Sequence, residues 1–184
     1  MPRLFVALDL PERVRDGLSD ISGELPGADW VYSEQYHLTL RFLGEVDHEA
    51  FLSVRAGLGG VSARSFHVAL KGIGLFPLRG APDTLWAGVA RNEALASLRH
   101  KIESALGRQG IPPDTRKFFP HVTLARVRSC QEEWIGRYVA ENALFSFPEI
   151  PVQGFNLYSS RLTPEGSVYT LEESYPLDGI LEAE

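Results

Sequence analysis

Apolar positions along the chain follow two spacings, and the order of those spacings repeats. Leu4-Phe5-Val6-Ala7-Leu8-Asp9-Leu10 is a short run of the kind a buried strand uses. Pro11 suits the first turn of a helix, and Val14, Leu18, Ile21 and Leu25 follow at helical spacing. Beyond Pro26-Gly27 the segment from Trp30 to Leu43 reads as extended, and Gly44 marks the turn out. The same order returns later in the chain. Leu85 to Ala90 reads as a strand and Asn92 as a helix N-cap. Leu95, Leu98, Ile102 and Leu106 form the apolar stripe of a helix that Gly107 and Gly110 close. After Pro112-Pro113, residues Phe118 to Val127 read as a strand. A shift of 81 residues superposes Leu4 on Leu85, Phe5 on Trp86, Ala7 on Gly88, Glu12 on Glu93 and Ile21 on Ile102. The identity is weak, so the order of elements carries the case for a duplicated chain.

The remaining segments fit around this plan. Asp47 to Leu58 predicts a helix with Phe51, Val54 and Leu58 inward, Phe66 to Phe76 a strand, and Gln131 to Ala143 a helix. Val152 to Leu162 and Val168 to Leu177 predict two strands joined across Thr163-Pro164-Glu165-Gly166, a segment with good turn chemistry. Direct strand–turn–strand links beside helices favour an α+β fold with antiparallel sheets over a doubly wound parallel one. At 184 residues the chain is expected to form a single domain over 1–184 or two tightly joined lobes.

Composition narrows the setting. Cys130 is the one cysteine, so no intramolecular disulfide can form, and a reducing cytoplasm is the simplest location. The apolar run after Met1-Pro2-Arg3 is interrupted by Asp9 and makes a poor signal-peptide core. No stretch approaches the ~18 apolar residues of a membrane span. The net charge of −6 is unevenly spread. Glu165 to Glu184 holds six acidic residues and no Lys or Arg, which leaves residues 1–164 formally neutral. Between Asp114 and Cys130, Arg116, Lys117, Arg126 and Arg128 face only Asp114. Long duplex binding would need a broader basic surface, whereas a grip on one or two phosphates would not.

Candidate chemistry sits in a repeated tetrapeptide. His37-Leu38-Thr39-Leu40 and His121-Val122-Thr123-Leu124 share the pattern His-x-Thr-Leu in a chain with five histidines and six threonines. In an extended strand, side chains alternate between faces, so each motif presents an imidazole and a hydroxyl together while its apolar residues pack inward. Two such strands facing each other supply an acid, a base and two hydroxyl donors. That set suits the opening of a phosphodiester without a metal. His48, His67 and His100 lack the threonine partner and read as structural or surface residues.

The chain resembles the two-histidine (2H) phosphoesterases, most closely the bacterial and archaeal RNA 2′,3′-cyclic phosphodiesterases once called 2′-5′ RNA ligases. The resemblance runs from Arg3-Leu4-Phe5-Val6-Ala7 through His37-Leu38-Thr39-Leu40-Arg41-Phe42-Leu43-Gly44 and the strand around Leu85-Trp86. It continues through Phe119-Pro120-His121-Val122-Thr123-Leu124-Ala125-Arg126 and ends at Leu157-Tyr158-Ser159-Ser160. It implies a two-lobed, pseudo-twofold fold whose antiparallel sheets line a central cleft with helices outside. The first motif strand would span about 30–43 and the second about 118–127. It also implies hydrolysis of an RNA 2′,3′-cyclic phosphate end to a 2′-phosphate, with ATP-independent 2′-5′ joining as the reverse. No cofactor, metal or membrane is implied, and a monomer is the default. The absence of a Gly-rich phosphate loop followed by Lys-Ser/Thr agrees with ATP independence.

By the resemblance His121 is the base that activates water and His37 the acid that protonates the departing O3′. The near-symmetric motifs do not by themselves orient the two roles. Thr39 and Thr123 would donate to the non-bridging oxygens. Arg126 matches a family cation five residues after the second histidine, although strand parity points it away from the cleft unless the strand ends, twists or bulges. Arg41, four residues after His37, has the parity to reach the cleft. Phe5, Tyr36, Phe119 and Tyr158 are candidates to stack on a base. Three other functions compete: a phosphodiesterase for a small cyclic phosphate such as a cyclic nucleotide or an ADP-ribose cyclic phosphate, an RNA-end-binding module without chemistry, and a zinc hydrolase. Zinc sites take three or four His, Cys or carboxylate ligands, and neither motif supplies a closely spaced second one.

Overall fold

A computed structural model of the protein describes residues 3–23, 25–76, 83–128, 130–164 and 166–179. Nine strands and four helices lie among them. In chain order they are β1 (Arg3–Asp9), α1 (Glu12–Asp20), β2 (Ala28–Trp30), β3 (His37–Glu45), α2 (His48–Gly59), β4 (Phe66–Phe76), β5 (Asp83–Val89), α3 (Glu93–Arg108), β6 (His121–Val127), α4 (Glu132–Glu141), β7 (Ser146–Val152), β8 (Gly154–Thr163) and β9 (Gly166–Pro176). All pairings between these strands are antiparallel, in the order β7-β4-β5-β6-β3-β1-β8-β9, with β2 added beside β6. The expected α+β architecture is present, and the two lobes are halves of one sheet. β9, β8, β1 and β3 make one half, and β7, β4, β5 and β6 the other. β1 and β5 play matching parts, as do α1 and α3, and β3 and β6.

The continuous apolar run in β1 reflects its place inside the sheet. Leu4 to Leu8 are all buried, as expected of a strand covered on both faces. The helices provide the outer cover. α2 packs against α3 and β9, and α1 packs against β7. Gly17 of α1 lets this approach happen, since a Cβ there would lie 3.1 Å from the Phe147 ring. Asn92 caps α3 through the Leu95 N–H at 2.9 Å, and Asp47 caps α2 through the Ala50 N–H at 2.8 Å.

Three segments differ from the sequence expectation. Trp30 to Leu43 is not one strand: β2 ends at Trp30, a 3-10 turn occupies Ser33–Gln35, and β3 begins at His37. β6 likewise begins at His121, so Phe118 to Pro120 precede the strand. β7 has no counterpart among the expected strands. It contains Pro148 and Pro151, which disqualify a central strand but are tolerated at a sheet edge, where β7 lies. The turn residue Glu165 lies outside the described residues, as do residues 180–184.

A bulge recurs at the same place in both motif strands. Val6 pairs with Arg41 and Ala7 with Thr39, which leaves Leu40 as an extra residue in β3. Leu85 pairs with Ala125 and Trp86 with Thr123, which leaves Leu124 extra in β6. Each extra residue is the third after its motif histidine. A bulge reverses the parity of every residue beyond it. Leu40 and Arg41 are therefore both buried, as are Leu124 and Ala125, while Phe42 and Arg126 are exposed.

This overturns the expectation that Arg41 reaches the cleft. Its side chain is turned to the opposite face, where Nε lies 2.9 Å from Glu103 on α3 and Nη1 3.4 Å from Asp114. Arg41 also donates to the carbonyls of Phe42 and Pro112. Arg99 joins the group at 3.2 Å from Glu103. The cluster ties β3 and α3 to the segment that leads into β6. Truncating one member of a buried ion group leaves the others uncompensated. Arg41→Met should lower unfolding free energy by about 3 kcal/mol, read from the midpoint of urea unfolding. Hydrogen bonds from Arg116 hold the Asp114 carboxyl down to about 2. The unfolded chain therefore takes up this proton first, and the stabilisation from Asp114 is present above about pH 4 and fades as pH falls towards 2. A stability curve flat between pH 5 and 2 would contradict this.

Candidate active site

The two halves of the sheet meet where Leu38 of β3 pairs with Val122 of β6. These two apolar residues are fully buried, so the residues on either side of each turn to the other face. An antiparallel register about this pair sets His37 alongside Thr123 and His121 alongside Thr39. The four motif residues are half-buried on one face at the centre of the molecule.

Both imidazoles are held in the same way. His37 Nδ1 lies 2.7 Å from the Gln35 carbonyl, and His121 Nδ1 lies 2.7 Å from the Phe119 carbonyl. A carbonyl only accepts, so each Nδ1 carries the proton and donates it. Each Nε2 is then the unprotonated nitrogen of the neutral ring. The breaks before β3 and β6 now have a reason: the chain must turn back two residues before each histidine to present that carbonyl.

The surroundings of the two histidines differ. His37 stands over Phe5, with ring centroids 5.0 Å apart, and meets Tyr169 edge-on at 5.4 Å. Phe5 is stacked on Tyr158 at 5.4 Å. The Asp9 carboxylate accepts from Tyr158 Oη at 2.6 Å and from Asn156 Nδ2 at 2.8 Å. Asp9 is paired with His37 across β1 and β3. A cavity of about 300 Å³ is bordered by Phe5, Asp9, His37, Tyr158 and Tyr169, among others. His121 instead meets Phe76 edge-on at 5.0 Å, with Phe119 at 6.4 Å.

Electrostatics follow from this packing. Burial pushes the His37 imidazole below its ordinary value. The Gln35 carbonyl and the Asp9 carboxylate oppose that shift, while the charge of His121 adds to it. Burial also pushes His121 down, opposed by the Phe119 carbonyl. Burial and the Asp9 carboxylate push the Tyr158 phenol up, so it stays a donor. Arg126, returned to the cleft face by the bulge, acts from β6 on the Tyr169 phenol of β9, favouring its ionised form against burial.

Among the aromatic candidates, Phe5 is 3% exposed and forms the floor beneath His37 with Tyr158. Phe119 is 47% exposed beside His121. Tyr36 borders the cavity but is 3% exposed, with its hydroxyl 3.0 Å from Ser22 Oγ, so it keeps no open ring face for stacking. Sequence reasoning did not single out Asp9, Asn156 or Tyr169. Asp9 carried a signal, as the acid that ends an apolar strand. Asn156 and Tyr169 carried none, because the β8–β9 register brings them in from a distant part of the chain. Arg116 and Arg128 of the basic segment pair with Asp114 and Asp29 at 2.9 and 2.7 Å. Among the described residues, no three His, Cys, Asp or Glu side chains group as metal ligands. No helix there is long and apolar enough to cross a membrane.

Two pseudo-symmetric strands that set paired His-x-Thr motifs over one cleft define a class, and the chain belongs to it: the family described as LigT like Phosphoesterase matches residues 8–86 and 88–169. Among its relatives is an RNA 2′,3′-cyclic phosphodiesterase of Thermotoga maritima, 35% identical over 91% of both chains. Another protein of that name from Thermus thermophilus is 36% identical, over 96% of this chain and 91% of its own. The crystal structure of apo E. coli LigT superposes with a TM-score of 0.75 at 28% identity, covering 96% of this chain and 98% of its own. E. coli LigT has also been solved with 3′-AMP, and that structure matches with a TM-score of 0.73 at 26% identity over 97% of this chain and all of its own.

Both site histidines should titrate below about 6.5, the ordinary imidazole value. Asp9→Asn should move His37 further down while leaving His121 nearly in place, since the Asp9 charge favours the His37 imidazolium. Ring-proton NMR across pH 4–8 reads both. A rise in the His37 pKa on Asp9→Asn would contradict the arrangement.

Proposed function

We propose that the protein hydrolyses RNA 2′,3′-cyclic phosphate ends to 2′-phosphates by histidine acid–base catalysis. The observation that carries this reading is the pair of Nδ1-anchored imidazoles facing one cleft, each beside a threonine of the other motif. Relatives bearing the name RNA 2′,3′-cyclic phosphodiesterase support it. The work is proposed to be done by one two-lobed, monomeric unit over 1–184, in RNA processing in the cytoplasm.

In this mechanism His121 Nε2 takes a proton from water, and the hydroxide oxygen bonds to phosphorus. The P–O3′ bond breaks on the far side, and His37 Nε2–H protonates O3′. Asp9 supports that assignment, because a carboxylate beside His37 favours the charged, proton-giving form. His121 shows no comparable carboxylate influence. Thr39 and Thr123 donate to the non-bridging oxygens, and Arg126 offsets their charge. Tyr158, backed by the buried Phe5 ring, forms the surface on which the terminal nucleoside rests. The 5′-hydroxyl of a second RNA could replace water and give a 2′-5′ link. A cyclic mononucleotide is the second reading, favoured by a cavity of about 300 Å³, at the small end of ligand sites.

An RNA oligonucleotide ending in a 2′,3′-cyclic phosphate should be opened to the 2′-phosphate in EDTA. His37→Ala and His121→Ala should each lower the rate by about 10²–10⁴-fold. The pH profile should be a bell centred on the acid side of about 6.5, because both histidines are held below that value. Formation of a 3′-phosphate, or full activity in either variant, would overturn the mechanism. Turnover of the cyclic mononucleotide alone would select the second reading.

A further inference from the structure

The half of the cleft around His121 contains an aromatic surface for which hydrolysis by water has no use. Trp86 of β5 pairs with Thr123 on one side and with Gly74 of β4 on the other. Cross-strand partners share a face, so the indole stands on the face that carries Thr123 and His121. Two glycines let it lie down. A Cβ at Gly74 would fall 2.3 Å from the indole carbons, and one at Gly88 would fall 3.2 Å from its Cζ3. The ring therefore covers Gly74 at van der Waals contact. Phe76 and Phe119 stand beside it, each with its centroid 5.1 Å from the indole. Phe76 and Phe119 meet edge-on at 5.3 Å.

The duplication gives this surface a counterpart. Trp86 is the position that superposes on Phe5, the floor beneath His37. In the first half, the residue two places before the histidine is Gln35, whose side chain donates to the Ser167 carbonyl at 2.6 Å and helps hold β9 in place. In the second half that place belongs to Phe119, whose ring is 47% exposed. A phenyl ring of that exposure beside a proton-exchanging imidazole is a wall with an open side. Each half thus offers an aromatic floor next to its own histidine.

We propose that Trp86, Phe76 and Phe119 form a shelf for a second nucleobase, belonging to the nucleoside joined to phosphorus through its 5′ oxygen. This rests on the proposed reaction at phosphorus and extends it from one nucleoside to two. The chemistry is balanced without a further reactant. The 5′-hydroxyl gives its proton to the imidazole beside the shelf and bonds to phosphorus. The P–O3′ bond breaks, and O3′ takes the proton held by the other imidazole. Stacking on an aromatic face tolerates any base, so the shelf selects for a nucleoside and not for a sequence.

Two inert ligands test it. One is a 2′-5′-linked diadenosine monophosphate whose first sugar lacks the 3′-hydroxyl and so cannot cyclise. The other is the methyl ester of the same 3′-deoxyadenosine 2′-phosphate, with equal charge and no second base. The wild-type protein should bind the dinucleotide about tenfold more tightly than the methyl ester. Phe119→Leu, which keeps apolar bulk and removes the π face, should bring the two affinities to within about twofold. Phe119→Trp should preserve the difference. Equal affinities in the wild type, no binding of either ligand, or an advantage that survives Phe119→Leu would each overturn the shelf. Cyclic-phosphate hydrolysis is measured on the same preparations. If it is absent while the affinity difference stands, the proposed reaction falls and the shelf remains.

Discussion

Everything at the site depends on one cross-strand contact, Leu38 against Val122. It joins the two halves of the sheet into one and fixes the registry of two strands distant in sequence. Because both residues are fully buried, a slip by one position would bury the histidines and expose the leucine and valine. Hydrophobic burial in the seam and the placement of the two imidazoles are therefore one constraint. The same seam explains why the four motif residues share a face without any direct bond among them being needed.

The carbonyls of Gln35 and Phe119 complete what the seam begins. A strand running straight into either histidine would aim that carbonyl along the sheet ladder. A 3-10 turn before β3 and the Phe118–Pro120 segment before β6 free it for Nδ1 instead. Two local breaks thus set the tautomer, with Nδ1 protonated and Nε2 left without the proton. The buried Arg41–Glu103–Asp114 group works further back, holding the approach to β6 against β3 and α3.

Much of this is legible in the order of residues alone. The His-x-Thr alternation places the four site residues on a common face, the apolar stripe defines α3, and Asn92 marks its start. The departures share a physical origin. The bulges at Leu40 and Leu124 arise from register against β1 and β5, and nothing in His-Leu-Thr-Leu-Arg-Phe announces an extra residue. Parity counted along the strand therefore sends Arg41 into the cleft and Arg126 away from it, and the fold does the reverse. β7 is hidden by its prolines, which an edge strand accepts. Tyr36 has the position of a stacking residue beside His37, yet its hydroxyl finds Ser22 and its ring stays covered. Asp9 separates the near-equivalent histidines, and its influence comes from a strand pairing that no local pattern reveals.

The proposed hydrolysis requires His37 and His121 to act on a single phosphorus. Histidine-resolved NMR during titration with a nucleoside 2′-phosphate tests it most directly. The ring signals of His37 and His121 should move together along one saturation curve, while those of His48, His67 and His100 stay still. Movement of only one site histidine, or two curves with different midpoints, would contradict a shared phosphate.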